Sequence, residues 1–240
     1  MCVSFFINKK QNKGESFVKK GKIIVVEGAC DGIGKSTQYA LLEKALIERG
    51  EEVVKHHFPS YDTHQGRAVE KYLAGEFGDI KQLSPYFING IYAHDRAITW
   101  YESLKKEYEA GKTILLDRYT TSSLLYQASV IENVDERKKF VDYVCDFEYK
   151  KLGIKEPDMV VFLTAPFDLV TDMRKKRKNN DGLENDLHER DMEFMKNVYN
   201  NANFIAKYLN WVIIDCADKD EIKSIEEIQK VILEKVEKLL

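Results

Sequence analysis

The sequence predicts an α/β fold of three layers, in which a five-stranded parallel sheet is flanked by helices on both faces. Five short runs are rich in Val, Ile and Leu, as expected of strands that are buried on both sides. Longer segments of helical periodicity separate these runs, which is the pattern of βαβ units. The 240 residues can form one large core and contain no linker rich in Pro, Gly or Ser. We therefore expect one domain over residues 21–240.

The predicted strands follow the apolar runs in chain order. They are KIIVVE (22–27), EVVKHHF (52–58), TILLD (113–117), DMVVFLT (158–164) and WVIID (211–215). Between them, apolar residues recur every three or four positions, which indicates helices. The predicted helices are residues 36–49, 66–73, 85–110, 122–130, 136–151, 167–178, 188–209 and 222–239.

Two polar segments stand apart from this pattern. Residues 1–20 are predicted to form a loose N-terminal extension. The charged stretch RKKRKNNDGLENDLHERD (174–191) is short of apolar residues that could anchor it, so we expect a mobile loop there. Composition alone is equally consistent with a plain solvated surface loop.

Composition excludes several classes of protein. With 37 basic and 40 acidic residues the formal net charge is -3, so the overall basic field of a nucleic-acid binder is missing. No apolar run approaches the length of a membrane span, and the N-terminal residues do not read as a secretory signal. The four cysteines are scattered, which predicts neither a disulfide framework nor a zinc site. We expect a cytoplasmic protein without a membrane or nucleic-acid partner.

A glycine-rich segment, GACDGIGKST (28–37), follows the first strand and precedes a helix. It departs from the pattern G-x-x-x-x-G-K-[ST] because five residues, not four, separate Gly28 from Gly34. The groups needed for a nucleotide triphosphate are nevertheless present: backbone N–H groups to hold phosphates, Lys35 to bridge them and Ser36 to hold magnesium. The residues predicted to bind the nucleotide phosphates are Gly32, Ile33, Gly34, Lys35, Ser36 and Thr37.

The ends of the second and third strands favour a kinase over a hydrolase. The third strand ends in Asp117, Arg118 and Tyr119, and the second ends in HFPSY (57–61). An arginine at a strand end near the phosphate loop suits a second phosphate group better than a water molecule. We therefore expect phosphoryl transfer to a phosphorylated acceptor.

Together these motifs resemble the thymidylate (dTMP) kinase family. The matching stretches are EGACDGIGKSTQ (27–38), FPSY (58–61), IYAHDRA (91–97), DRYTTSSLLYQ (117–127), EPDMVVFL (156–163) and the charged loop 174–191. The resemblance implies a P-loop kinase fold, phosphorylation of dTMP by ATP with Mg²⁺, a mobile lid over 174–191 and a homodimer. It also implies that the loop spacing is normal from Asp31 to Thr37, so that the extra residue should make a bulge at Ala29 and Cys30, where the strand ends.

The resemblance also implies an acceptor site. Tyr92 would stack on thymine, Arg96 would pair with the base carbonyl and phosphate region, and Arg118 would bind the acceptor phosphate. Tyr126 would lie below the sugar and exclude a 2'-hydroxyl. The remaining predicted acceptor contacts are Asp31, Phe58, Tyr61, Ser123 and Gln127. Plainer alternatives stay open: Asp31 as a helix cap, Phe58 as a core residue, and Asp117 with Arg118 as a local ion pair.

Catalytic roles follow the same resemblance. Asp31, Lys35 and Arg118 would act at the reacting phosphates, Asp117 would reach magnesium through water, and lid arginines would neutralise the migrating group once the lid closes. The candidate lid arginines are Arg174 and Arg177. Two alternatives remain, a P-loop kinase of another nucleoside or nucleotide and a non-catalytic nucleotide-binding regulatory module.

Overall fold

The computed structural model describes residues 20–79, 82–172 and 192–240. The predicted N-terminal extension, apart from residue 20, and all of the predicted lid lie outside the described residues. Within them, no helix combines the length and the apolarity that a membrane span requires.

Five strands form one parallel sheet, as the sequence predicts. Their bounds are β1 Lys22–Gly28, β2 Val53–His57, β3 Thr113–Asp117, β4 Met159–Thr164 and β5 Val212–Asp215. The strand order across the sheet is β2-β3-β1-β4-β5. The central strand β1 is thus neighbour to β3 and β4, and the loop that follows β1 lies at the middle of the carboxyl edge, where open α/β sheets bind their ligands.

The helices connect the strands on both faces. They are α1 Lys35–Glu48, α2 Arg67–Leu73, α3 Pro85–Thr99, α4 Lys105–Glu109, α5 Thr120–Tyr126, α6 Val134–Cys145, α7 Met192–Tyr208 and α8 Ile225–Val236, with a further helical segment over 167–172 and a short 3-10 turn at Ala128–Val130. Successive residues of β1 alternate between two cores: Ile24 and Val26 pack with residues of α1 and α8, and Ile23 and Val25 pack on the opposite face with Trp100. This alternation gives the three predicted layers.

The structure departs from the predicted helices in three places. Residues 85–110 are not one regular α-helix, because a π-helical turn, Trp100–Leu104, interrupts them. A second π-helical turn, Asp146–Lys151, replaces the end of the predicted helix 136–151. A small hairpin, Ala217–Asp218 with Glu221–Ile222, takes the start of the predicted helix 222–239. The last helix begins only after Ser224, whose side chain forms a capping box with Glu227.

Candidate active site

The predicted phosphate loop connects β1 to α1 at the carboxyl edge of the sheet. Gly34 directly precedes the helix with φ of 91°, and Gly32 has φ of 96°. Glycine adopts such angles readily, whereas a residue with a Cβ does not. Lys35 is the first residue of α1, and Ser36 beside it is exposed. Residues 32–37 therefore combine the unpaired N–H groups and the positive dipole end of a helix start with one cation and a hydroxyl.

The predicted bulge at the end of β1 is wrong. The strand stays paired with β4 through Gly28, and the next N–H, that of Ala29, donates to the carbonyl of Leu163 at 2.9 Å. Gly28 does not have a positive φ, but a Cβ there would lie 2.8 Å from Cγ2 of Ile33. Ala29 and Cys30 are buried. The added length is thus accommodated by small buried side chains, and Gly28 is needed for space, not for its dihedral freedom.

Lys35, Asp117 and His57 form one polar cluster beside the loop. Nζ of Lys35 donates to Oδ1 of Asp117, and Nδ1 of His57 lies 2.9 Å from Oδ2 of the same carboxylate. Burial raises the pKa of Asp117, but the hydrogen bonds and charges of His57 and Lys35 outweigh it and bring the pKa to about 2. Asp117 is therefore a carboxylate at neutral pH, next to the cation of the phosphate loop.

A single cavity beside this cluster brings the predicted acceptor residues together. All nine line it: Asp31, Phe58, Tyr61, Tyr92, Arg96, Arg118, Ser123, Tyr126 and Gln127. Four further residues that the sequence did not single out complete the wall: Pro59, Leu73, Tyr119 and Ser122. Phe58 is buried, as the core alternative proposed, yet it also lines the cavity. The cavity is thus partly aromatic and carries two guanidinium groups, a combination that fits a flat ring bearing an anionic group.

Arg118 joins this cavity to the phosphate loop. Its Nη2 donates to Oδ1 of Asp31 at 2.6 Å and its Nη1 to the hydroxyl of Tyr126 at 3.4 Å. The backbone at Arg118 has φ of 67°, so the turn after β3 places a long side chain where few residues other than glycine are found. Asp31 also accepts from the Tyr126 hydroxyl at 3.4 Å. The local Asp117–Arg118 pair is replaced by pairs of each residue with a member of the phosphate loop.

Glu27 supports Arg118 from below and was missed as a site residue. Its carboxylate is fully buried, accepts from the hydroxyls of Thr121 and Ser122 at 3.0 and 2.7 Å, and lies 3.9 Å from Nη1 of Arg118. An acidic residue at the end of an otherwise apolar strand is the signal that could have indicated it, because a buried carboxylate needs partners.

Arg96 lies deeper in the wall and is 1% exposed. Its Nε and Nη2 donate to the two carboxylate oxygens of Glu148 at 2.6 Å each, and Nη2 also donates to Oγ of Ser123 at 2.9 Å. Burial by itself lowers the pKa of Arg96, and the charge of Glu148 outweighs this and raises the pKa above its usual value. The predicted substrate residues Arg96 and Ser123 are therefore fixed by each other and by Glu148.

The two predicted lid arginines, Arg174 and Arg177, lie outside the described residues. His57 and Glu148 are the other polar groups that sequence reasoning missed. His57 is paired in register with Asp117 across β2 and β3, which could have been inferred only from the strand order. Glu148 lies on the π-helical turn Asp146–Lys151, where a regular helical period gives the wrong face.

Comparison with known protein families gives one consistent result. The family model described as Thymidylate kinase matches residues 26–232. The chain is 30% identical over 217 residues to the thymidylate kinase of Caldicellulosiruptor saccharolyticus, covering 89% of this chain and 96% of the relative. It is 27% identical over 230 residues to the thymidylate kinase of Plasmodium falciparum, covering 92% of each.

A solved structure supports the fold in the same way. The thymidylate kinase of Candida albicans superimposes with a TM-score of 0.68, covering 91% of this chain and 92% of that one, at 22% identity. The similarity extends over nearly the whole of both chains, so it concerns the complete three-layer architecture, not one βαβ unit.

Proposed function

The chain belongs to the thymidylate kinase family, and from this premise we propose that the described site transfers the γ-phosphoryl group of ATP to dTMP, giving ADP and dTDP. One observation carries the assignment of the site. The nine predicted acceptor residues line one cavity, and Arg118 in that cavity is hydrogen-bonded to Asp31 of the phosphate loop. Acceptor and donor phosphates would thus meet at this contact.

The acceptor is held by its base, sugar and phosphate separately. Arg118 binds the monophosphate through charge-assisted hydrogen bonds, for which it exchanges its contact with Asp31. Tyr92 stacks on the pyrimidine ring, and Arg96 donates to a base carbonyl. Tyr126, which contacts both Asp31 and Arg118, occupies the space that a 2'-hydroxyl would need. These contacts favour a deoxyribonucleotide with one phosphate.

The donor phosphates bind over residues 32–37. Backbone N–H groups cradle them, and Lys35 moves its Nζ from Asp117 to the β- and γ-phosphates. Magnesium fits the groups present, because Ser36 offers an exposed hydroxyl and Asp117 an ionised carboxylate, and Mg²⁺ takes oxygen ligands while keeping several waters. When bound, the ion would neutralise charge on the ATP phosphates.

The transfer step needs positioning and positive charge more than a general base. An oxygen of the dTMP phosphate attacks the γ-phosphorus as the bond to the β-phosphate oxygen breaks, and ADP leaves. The attacking oxygen is anionic near neutral pH, so no side chain has to remove a proton. Lys35 and Arg118 hold the two phosphates in line from opposite sides. We assign to Arg174 and Arg177 the neutralisation of the migrating group.

Self-association is a further part of the proposal. Aromatic side chains of α3 and α6 form an exposed cluster in which Tyr86 and Tyr143 have ring centroids 4.8 Å apart. Tyr86, Phe87 and Tyr143 are 43%, 47% and 38% exposed, and clustered exposed aromatics are typical of protein interfaces. This cluster supports a homodimer. The cytoplasmic location and the absence of a nucleic-acid partner stay predictions.

The test measures ADP formation from ATP with a panel of acceptors: dTMP, dUMP, dCMP, thymidine and the ribonucleotide of thymine. We expect turnover with dTMP to exceed that with each of the others. Lys35→Ala should abolish most of this turnover, whereas Lys44→Ala, an exposed lysine of the same helix paired with Glu48, should not. Turnover of thymidine in preference to dTMP, or none with any acceptor, would overturn the proposal.

A further inference from the structure

The ion pair of Arg96 and Glu148 is the most deeply buried one that touches the acceptor cavity. The two side chains are 2% and 0% exposed, and both carboxylate oxygens accept from the guanidinium at 2.6 Å. Such a two-point contact fixes the plane of a guanidinium as well as its position. Burial of both charges also means that water cannot replace either partner cheaply.

Glu148 is itself held by groups outside the pair. The hydroxyl of Thr120, at the start of α5, donates to its Oε2 at 2.8 Å. Glu148 belongs to the π-helical turn Asp146–Lys151, and such turns are rare and frequent at functional sites. The carboxylate thus connects three elements: α3, which carries Arg96, α5, which carries Ser123 and Tyr126, and the π-helical turn.

The pair determines which N–H groups of Arg96 remain for a ligand. Nε and Nη2 are committed to Glu148, and Nη2 is also committed to Ser123. Among the described residues Nη1 donates only to the carbonyl of Tyr119, at 3.5 Å, although it carries two N–H groups. Since Arg96 lines the cavity, Nη1 is the group that can donate to a bound molecule.

We propose that Glu148 is a positioning residue for this reaction, which holds Nη1 of Arg96 against the base and thereby selects pyrimidines with a 4-carbonyl over those with a 4-amino group. This inference rests on the proposed function. A guanidinium has donors only, so it can pair with a carbonyl oxygen but not with an amino group. A freely rotating arginine could turn away from an amino group, whereas one fixed by Glu148 cannot. Selectivity therefore depends on the carboxylate as well as on the arginine.

The experiment compares the parent with Glu148→Asp, which keeps the charge but shortens the side chain by one methylene. Steady-state kinetics are measured with dTMP, dCMP and ATP in turn, below the melting temperature of every variant. We expect KM for dTMP to rise and the dTMP to dCMP ratio of kcat/KM to fall, each about tenfold, as for one misplaced hydrogen bond to a charged group. KM for ATP should stay at the parent value, which a general loss of structure would not allow.

Asp146→Asn is the matched control. It lies on the same π-helical turn, but its carboxylate is 43% exposed and pairs with Lys150 and Lys151. Both KM values and the selectivity ratio should stay at the parent values in this variant. A loss of selectivity equal to that of Glu148→Asp would overturn the proposal, because it would assign the effect to the turn and not to the carboxylate.

Thr120→Val provides a second test, since it preserves volume and removes only the hydroxyl that anchors Oε2 of Glu148. We expect the selectivity ratio to fall severalfold. An unchanged ratio in both variants, or in Thr120→Val if Glu148→Asp does not fold, would overturn the proposal. Failure of the parent to phosphorylate dTMP would instead refute the proposed function itself, so the two failures are distinguished by the parent alone.

Discussion

Replacing Arg118 by Ala is the sharpest test of the acceptor assignment. The side chain is only partly buried, and the backbone already has φ of 67°, so the shorter residue introduces no new steric conflict. Glu27 loses a cation 3.9 Å away but keeps the hydroxyls of Thr121 and Ser122. We therefore expect the folded state to persist, with a loss of stability of about 1 kcal/mol.

The effect on dTMP binding should be larger than the effect on stability. A hydrogen bond to a charged group is worth about 1.5–3 kcal/mol. Arg118 must give up its 2.6 Å contact with Asp31 to bind phosphate, and a partly exposed ion pair of this kind offsets up to about 1 kcal/mol. The net loss should lie near 1.5–2 kcal/mol, so KM for dTMP should rise by about ten- to thirtyfold.

The assay varies dTMP at saturating ATP, and then ATP at saturating dTMP, with ADP formation as the readout. Arg49→Ala is the control, because Arg49 also pairs with a carboxylate, Glu237 at 2.7 Å, on the opposite side of α1 from the cavity residues and outside the cavity wall. An effect of Arg118→Ala on KM for ATP alone, or an effect no larger than that of Arg49→Ala, would show that the acceptor phosphate binds elsewhere.

Three further predictions follow from the same geometry. Gly34→Ala should lower stability by about 1–2 kcal/mol, because φ is 91° although no atom lies near the added Cβ, and should reduce turnover strongly; urea unfolding and ADP formation measure both, and parent-like turnover would contradict the phosphate loop. Tyr126→Phe should keep the preference for dTMP over the thymine ribonucleotide, because its hydroxyl contacts are 3.4 Å long, whereas Tyr126→Ala should lower that ratio about tenfold; equal ratios in both variants would refute exclusion by the ring. Asp117→Asn should lose about 2 kcal/mol at pH 7; since folding depresses the pKa from 3.8 to about 2, this contribution is present above pH 3.8 and is lost as pH falls through 2, so urea unfolding at pH 7 and near pH 2 should show the difference shrink, and a constant difference would contradict it.

The sheet could be predicted from sequence because its signal is local. The strand TILLD was located with its exact bounds, Thr113–Asp117, since a run of apolar residues between charged neighbours leaves one interpretation. The two π-helical turns could not be predicted, because each adds a residue to the 3.6-residue period and is stabilised by contacts distant in sequence. Glu148 was missed for that reason, and its effect on Arg96 was missed with it.

The candidate site divides along the same line. Asp31, Lys35 and Arg118 stand in motifs whose residues are close in sequence, and the resemblance indicated them directly. The pairing of Lys35 with Asp117 joins residues 82 positions apart, and that of Arg118 with Asp31 joins residues 87 apart. The order of the strands decides such pairs, and the order is a tertiary property. The false bulge has a different cause: loop length was counted correctly, but the pairing of Ala29 with β4 was not foreseeable from the count.

The partners of the three cations in the described part of the site have a consequence for how dTMP arrives. Each cation already stands beside a carboxylate: Lys35 with Asp117, Arg118 with Asp31 and Glu27, and Arg96 with Glu148. At a distance these charges cancel, and the whole chain is slightly acidic at -3. An approaching dianion is therefore neither drawn in nor oriented by a long-range field, and its capture depends on collisions that end inside the cavity. Its association rate should consequently vary little with ionic strength, unlike that of an enzyme which steers its substrate electrostatically.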